Sequence, residues 1–322
     1  MRQQANALSV ARRWFLDNTS LFGVIVLIAA VCLLGALTTD RFFSYNNFLN
    51  VYEQSTDLTL VSIGQTLTIL AGGIDLSVGS LISLTSCLTS GLINGDPDRV
   101  MPVAAAVLAL GTCVGLLNAA LVIGLRVHPL IVTLGMSAVL QGVTLLYAMG
   151  PVGKVPRNFN FLAYGRILDL PLGATIAAML CILVALLLKY LPLGRQIYAV
   201  GDDDNAARLT GLPRTRVLMF VYACSGFCCS ATGLYLVARF GVGQPYTGVN
   251  YTLASITPVI LGGTALSGGK GGVIGTLLGA YLISLVNNLL NFMDVSKHYQ
   301  LVAQALIIIL AVSVYVNRRR VA

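Results

Sequence analysis

Apolar residues in this chain recur in long stretches at 20–38, 56–71, 76–94, 101–124, 129–149, 172–190, 214–238, 251–267, 273–293 and 298–316. A helix needs roughly 20 apolar residues to cross a bilayer, and these stretches cluster around that length. None alternates apolar and polar positions over about 10 residues, the mark of a barrel strand. The pattern predicts an all-α polytopic membrane protein of about ten transmembrane helices in one domain over 1–322, with both termini cytoplasmic. Composition agrees. With 57% apolar and 10% charged residues, against about 25% charged in a soluble domain, the chain has too little polar surface to be a water-soluble enzyme.

The net charge of +8 is explained by position rather than by nucleic-acid binding. In this layout 13 of the 20 Lys and Arg fall on the cytoplasmic side and 7 outside, the bias that orients membrane proteins. Arg2, Arg12 and Arg13 precede an apolar run too long for a signal sequence, so the first segment is expected to stay in the membrane. Seven cysteines lie inside apolar runs without metal-ligand spacing and read as small packing residues.

Two junctions break the pattern. GGIDLSVGS (72–80) separates the second and third spans, and LGGTALSGGKGG (261–272) separates the eighth and ninth. Both contain GG-x-x-LS-x-G, and both fall on the cytoplasmic side. Glycine permits positive φ and close backbone approach, so Gly72, Gly73, Gly79, Gly262, Gly263 and Gly268 are the expected sites of broken helices. Such interruptions in corresponding positions point to a transporter built from repeats.

Covalent chemistry finds little support. In SGGKGG, Gly271 follows Lys270, where a phosphate loop needs Ser or Thr. His128 and His298 fall at opposite faces, which disfavours a shared metal. Asp75 admits two readings: a proton or Na⁺ relay, or a cap for a helix starting at Leu76. Gln65, Asn118, Gln141, Asn287, Asn288, Asn291 and Gln304 lie within spans. They read as interhelical glue or, taken as a set, as a path for a neutral polar solute. Gln65, Asp75, Asn118, Gln141 and Asn288 are the path candidates. The longest cytoplasmic loop, 191–213, carries Asp202, Asp203 and Asp204, then AARLTG and Pro213, the signature of a short helix with a glycine stop.

Four stretches make the sequence familiar: QTLTILAGGIDLSVGSLISL (65–84), HPLIVTLGM (128–136), GRQIYAVGDDDNAARLTGLPRTRV (194–217) and QPYTGVNYTLASITPVILGGTALSGGKGGVIGT (244–276). In this order they resemble the permease subunits of ribose-type ABC sugar importers. The resemblance implies a non-catalytic bacterial inner-membrane transport subunit that binds no cofactor directly, with ATP and Mg²⁺ on a cytoplasmic ATP-binding subunit. Its other implied partners are a periplasmic or surface substrate-binding protein and a second permease subunit, a copy or a paralogue. The implied substrate is a monosaccharide or small polyol, whether pentose, hexose or autoinducer-2. A stand-alone secondary carrier or channel for a small polar solute is the alternative, with Asp75 as its ion site.

The family's cytoplasmic motif G-G-N-x-x-A-A-x-x-x-G falls on Gly201, Ala206, Ala207 and Gly211, and departs from it at Asp202 and Asp203. By this resemblance Gly201, Asp202, Asp203, Asp204, Ala206, Ala207, Arg208 and Gly211 form the element that couples to the ATPase. Ala207→Trp is then expected to uncouple hydrolysis from uptake by blocking docking.

Overall fold

A computed structural model describes residues 19–39, 41–296, 298–300, 302, 305 and 306. Most of the tenth expected span, 298–316, lies outside them. Apart from turns and loops, the regular structure of the described residues is helical, with one small hairpin of two two-residue strands, β1 (Arg166–Ile167) and β2 (Leu170–Pro171). The helices are α1 (Thr19–Thr38), α2 (Tyr45–Gln54), α3 (Thr56–Leu70), α4 (Val78–Ile93), α5 (Val100–Leu125), α6 (Pro129–Tyr147) and α7 (Phe161–Tyr164). There follow α8 (Leu172–Tyr190), α9 (Pro192–Asp202), α10 (Asp204–Leu209), α11 (Arg214–Phe240), α12 (Tyr251–Ala254), α13 (Ile256–Leu261) and α14 (Val273–Phe292).

Six helical stretches among the described residues are long and apolar enough to cross a membrane: Leu21–Thr38, Pro97–Leu125, Pro129–Tyr147, Leu172–Tyr190, Arg214–Phe240 and Val273–Phe292. The other expected spans are shorter for a physical reason. Every residue of α3 is buried, so it contacts protein on all sides. The expected continuous span 251–267 is instead α12 and α13 followed by turns. Likewise the expected loop 191–213 is two helices, α9 and α10, with Pro192 opening the first.

The bundle is built around α11, which packs on α5, α3 and α4. Two thirds of its apolar window is buried (67%), against 11% in α1. Helix α1 turns Leu33, Leu34 and Leu37 outward, α6 exposes Ile131 and Leu134, and α8 exposes Ile182 and Leu183. In water these would be liabilities; in lipid they form the expected outer surface.

Helices α5 and α11 meet backbone to backbone. Gly111 and Gly115, four residues apart on α5, face Gly226 and the Tyr222 carbonyl of α11. A methyl group at Gly226 would overlap the Gly111 carbonyl. Such close approach maximises van der Waals contact where lipid tails supply no hydrophobic drive.

The loops sort to two ends. At one end the 70–77 and 262–272 turns meet α9. At the other, Val152 pairs with Gly243, the Gly95 N–H donates to the Lys154 carbonyl at 2.8 Å, and Ser90 Oγ donates to the Val152 carbonyl at 2.7 Å. This is the alternation expected from the apolar pattern.

Gly226→Leu should lower stability by about 1–3 kcal/mol or more through overpacking, read as a fall in Tm in detergent. Gly142→Ala, where an added Cβ meets nothing within 4 Å, should hold or slightly raise Tm. Equal losses in the two variants would remove the α5–α11 crossing from its central role.

Candidate coupling and translocation site

Helices α3 and α13 end in the same hook. In α3 the Gly72 N–H donates to the Ile69 carbonyl and Gly73 N–H to Thr68, both at 2.9 Å. In α13 the Gly263 N–H donates to Ile260 at 2.9 Å and the Thr264 N–H to Val259 at 3.0 Å. The left-handed residue is Gly72 (φ +81°) in the first and Gly263 (φ +87°) in the second, as this C-terminal motif demands. The echoed sequences therefore fold alike with a one-residue offset. They then diverge: α4 resumes at Val78, whereas Gly268, Gly269 and Gly271, all at positive φ, carry the second turn on to α14. Gly79, in the first turn of α4, faces the Gly248 carbonyl, and Gly262 lies against the backbone of Gly275 on α14.

Between α3 and α4 the chain is extended and its polar atoms are held by neighbours. The Leu76 N–H donates to Thr133 Oγ1 at 3.1 Å, and that hydroxyl donates to the Ile74 carbonyl at 3.2 Å. Asp75 is 1% exposed. Its Oδ1 accepts from the Ser77 N–H (3.0 Å) and Oγ (2.6 Å), and Oδ2 accepts from Ser225 Oγ on α11 (2.8 Å). Asn118 Nδ2 donates to Ser77 Oγ at 2.9 Å. Asp75 does not cap α4, which starts at Val78 with Ser77 as its N-cap and no side-chain cap hydrogen bond; its carboxylate instead closes a local turn with Ser77 and ties it to the central helix through Ser225.

The other path candidates are scattered. Gln65 is fully buried on α3, and neither of its amide atoms has a hydrogen-bond partner. The Asn118 Oδ1 and Gln141 Oε1 are also unpartnered, while Gln141 Nε2 donates to the Pro245 carbonyl at 3.0 Å near the opposite end. Asn288 exchanges two 3.0 Å hydrogen bonds with Asn47, which is interhelical glue. Asn291 accepts from Gln300 at 2.7 Å; Gln304 lies outside the described residues. The structure joins Asp75 and Asn118 and leaves Gln65, Gln141 and Asn288 apart from them.

The 191–213 segment is stiffened internally. Asp203 caps α10, its Oδ1 accepting from the Asn205 N–H (2.9 Å) and Ala206 N–H (3.0 Å). Asp204 pairs with Arg208 at 3.2 Å and with Arg214. Gly211 (φ +74°) ends the helix as expected. Gly201 belongs to the last turn of α9, not to a loop, and it touches the first hook and the Gly268–Gly269 turn that follows the second. A Cβ there would collide with the Leu70 carbonyl and lie 2.8 Å from the Gly269 nitrogen. Asp202, Asn205, Ala206 and Arg208 are exposed. Ala207 is only 3% exposed and packs in the core cluster with Val217 and Leu218, so a Trp there would break the segment's own seat before any docking. The residue that pattern reasoning missed is Leu209, at 89% exposure the most prominent apolar group of the segment. A cavity of about 900 Å³ against α10 is lined by Arg126, His128, Asp204, Arg208, Arg214 and Arg216.

Residues 47–312 match the family model for the branched-chain amino acid transport system / permease component. Ribose import permease protein RbsC of Escherichia coli (strain K12) is 38% identical over 308 residues, 94% of each chain. RbsC of Bacillus subtilis (strain 168) is 36% identical over 295 residues, 90% of this chain and 89% of its own. The chain belongs to the ribose-type ABC permeases. No solved structure matches it. As such a permease it is the multi-pass membrane subunit of a bacterial inner-membrane importer, with ATP hydrolysis on a separate subunit. The family implies an ATP-binding subunit and a substrate-binding protein as partners.

The permease has a second polar cluster, at the opposite end, that the apolar pattern hid. Asp57, in the first turn of α3, accepts from Tyr251 Oη at 2.8 Å and pairs with Arg239 of α11 at 3.3 Å. Both charges sit at span ends, where each reads as an ordinary loop residue. Only the fold shows that they face one another. The N-terminal end of α3 also favours a negative charge there.

Arg239→Met should lower stability by up to about 3 kcal/mol, the low end for a buried pair, since Arg239 keeps 25% of its side chain exposed. Adding Asp57→Asn should restore most of that loss, as measured by thermal unfolding in detergent. A double variant no more stable than Arg239→Met would refute the pairing. Asp75→Ala should cost about 1–3 kcal/mol by stranding buried hydroxyls, and Asp75→Asn clearly less. Equal losses would mean that the carboxylate site is not held by those bonds.

Proposed function

We propose that this permease translocates a monosaccharide, with ribose as the leading candidate, by alternating access driven by ATP hydrolysis on its partner. The observation that supports the substrate class is the set of relatives. Besides the ribose permeases they include the D-allose transport system permease protein AlsC of Escherichia coli (strain K12), 31% identical over 301 residues. In this reading the whole chain is one permease domain of ten crossings with both termini in the cytoplasm, and it works beside a second permease subunit. The arginine-lined cavity beside α10 supports placing that end in the cytoplasm.

The coupling element is then 201–211. Asp203 is used in capping and Asp204 in pairing with Arg208 and Arg214, so the surface left for the ATP-binding subunit is the exposed face of α10 with Leu209 at its tip, beside the exposed Asp202. ATP and Mg²⁺ are held on that subunit. Their binding and hydrolysis move α9 and α10, and the broken helices open the path to one side and then the other. Unpartnered amide atoms at Gln65 and Asn118 offer a neutral sugar passing hydrogen bonds. The substrate-binding protein does most of the selecting. An ion-coupled carrier is less well supported, because the Asp75 carboxylate is already engaged by Ser77 and Ser225.

The test is a cysteine cross-link from Leu209→Cys in native membranes, with partners identified by mass. Recovery of an ATP-binding subunit is the expected result. Leu209→Asp should leave thermal stability within about 0.5 kcal/mol, as for other exposed sites, while sharply reducing recovery of that subunit. Absence of any ATP-binding subunit under cross-linking would overturn the coupling assignment.

A further inference from the structure

Four glycines from three distant parts of the chain are in backbone contact at one end of the bundle. The Gly269 N–H donates to the Leu70 carbonyl at 3.0 Å, joining the two broken-helix turns directly. Gly201 of α9 sits on that bond. A side chain at Gly201 would strike the Leu70 carbonyl and the Gly269 nitrogen. One at Gly268 would lie 2.6 Å from the Gly201 carbonyl and 3.0 Å from Gly72 Cα, and one at Gly269 would lie 2.7 Å from Asp202 Cα. Helix α9 grips the second turn again one helical turn earlier, where Tyr198 Oη donates to the Gly271 carbonyl at 2.8 Å. Burial raises the Tyr198 phenol above its ordinary pKa, so it remains a donor.

Contacts between side chains yield by changing rotamer, but main chain against main chain has nothing to flex. A displacement of α9 must therefore move Leu70–Gly73 and Gly268–Gly271 together. On the first side the chain leads within two residues to Asp75 and its bonds to Ser77 and Ser225. On the second it leads through Gly271, beside Thr264, into α14. We infer that Gly201 is the positioning residue through which the coupling segment drives both broken helices as one unit. This deepens the coupling role proposed for 201–211 and rests on it.

The test uses the permease in lipid nanodiscs with its co-purified ATP-binding subunit, followed by amide hydrogen exchange with ATP plus orthovanadate against nucleotide-free complex. In the wild type, exchange should change in 201–211 and, in the same step, at the amides of Gly72, Gly73 and Gly269. Gly201→Ala should keep the change in 201–211 but cut its transmission to both turns by about tenfold, within the usual range of coupling strengths. Tyr198→Phe removes one hydrogen bond without adding bulk, so it remains informative where Gly201→Ala fails to fold. It should weaken transmission to 268–272 more than to 70–75.

A wild-type change confined to 201–211 would overturn the inference while leaving the coupling segment in place. So would full transmission in Gly201→Ala. A wild-type complex with no change in 201–211, together with no cross-link from Leu209→Cys, would instead overturn the coupling role on which the inference stands.

Discussion

A helix that stops inside a membrane protein leaves carbonyls and N–H groups that hydrocarbon cannot satisfy. Helices α3 and α13 both stop in this way, and the rest of the architecture follows from how their ends are closed. Each hook satisfies its own last turn with a left-handed glycine. The Leu70 carbonyl is met by the Gly269 N–H of the other turn, so the two breaks depend on one another. The extended stretch after Gly73 is likewise closed by Thr133, Ser77 and Ser225. Burial of every α3 residue leaves the polar groups at its end only protein partners.

The same constraint explains why α11 is central. It supplies Ser225 to the Asp75 cluster, Arg239 to Asp57 at the opposite end, and the glycine face on which α5 lies. One helix thereby holds both ends of α3. Polar groups are spent on fixing α3 between these anchors. Both amide atoms of Gln65 and the Asn118 Oδ1 are left without a partner.

Much of the site could be read in the chain, and the failures are specific. The helix start at Asp203 and the stop at Gly211 were visible because caps are local. Asp75 reads as a cap for a helix starting at Leu76, but α4 starts at Val78 without a side-chain cap, and the carboxylate is held instead by Ser77 and by Ser225, 150 residues away. Asn288 reads as path or glue until its partner Asn47 is known. The contribution of Asp57 was hidden because a charge at a span end looks like a loop residue, whatever it faces. Ala207 matches a motif position, and only packing reveals that it turns inward while Leu209 turns out.

By itself the sequence determined the membrane environment, the long apolar helices, the two glycine breaks at 72–80 and 261–272, and the family. Each of these depends on local composition and spacing, since a membrane demands about 20 apolar residues at every crossing and glycine declares itself where a helix turns back. Tertiary structure alone decided that the two glycine runs and the coupling segment meet at Gly201, that the acids at 57 and 75 are anchored at opposite ends of one buried helix, and which face of α10 is left free. Those are contacts between residues far apart in the chain. Close packing sets them, and it depends on which surfaces fit together more than on any pattern along the sequence.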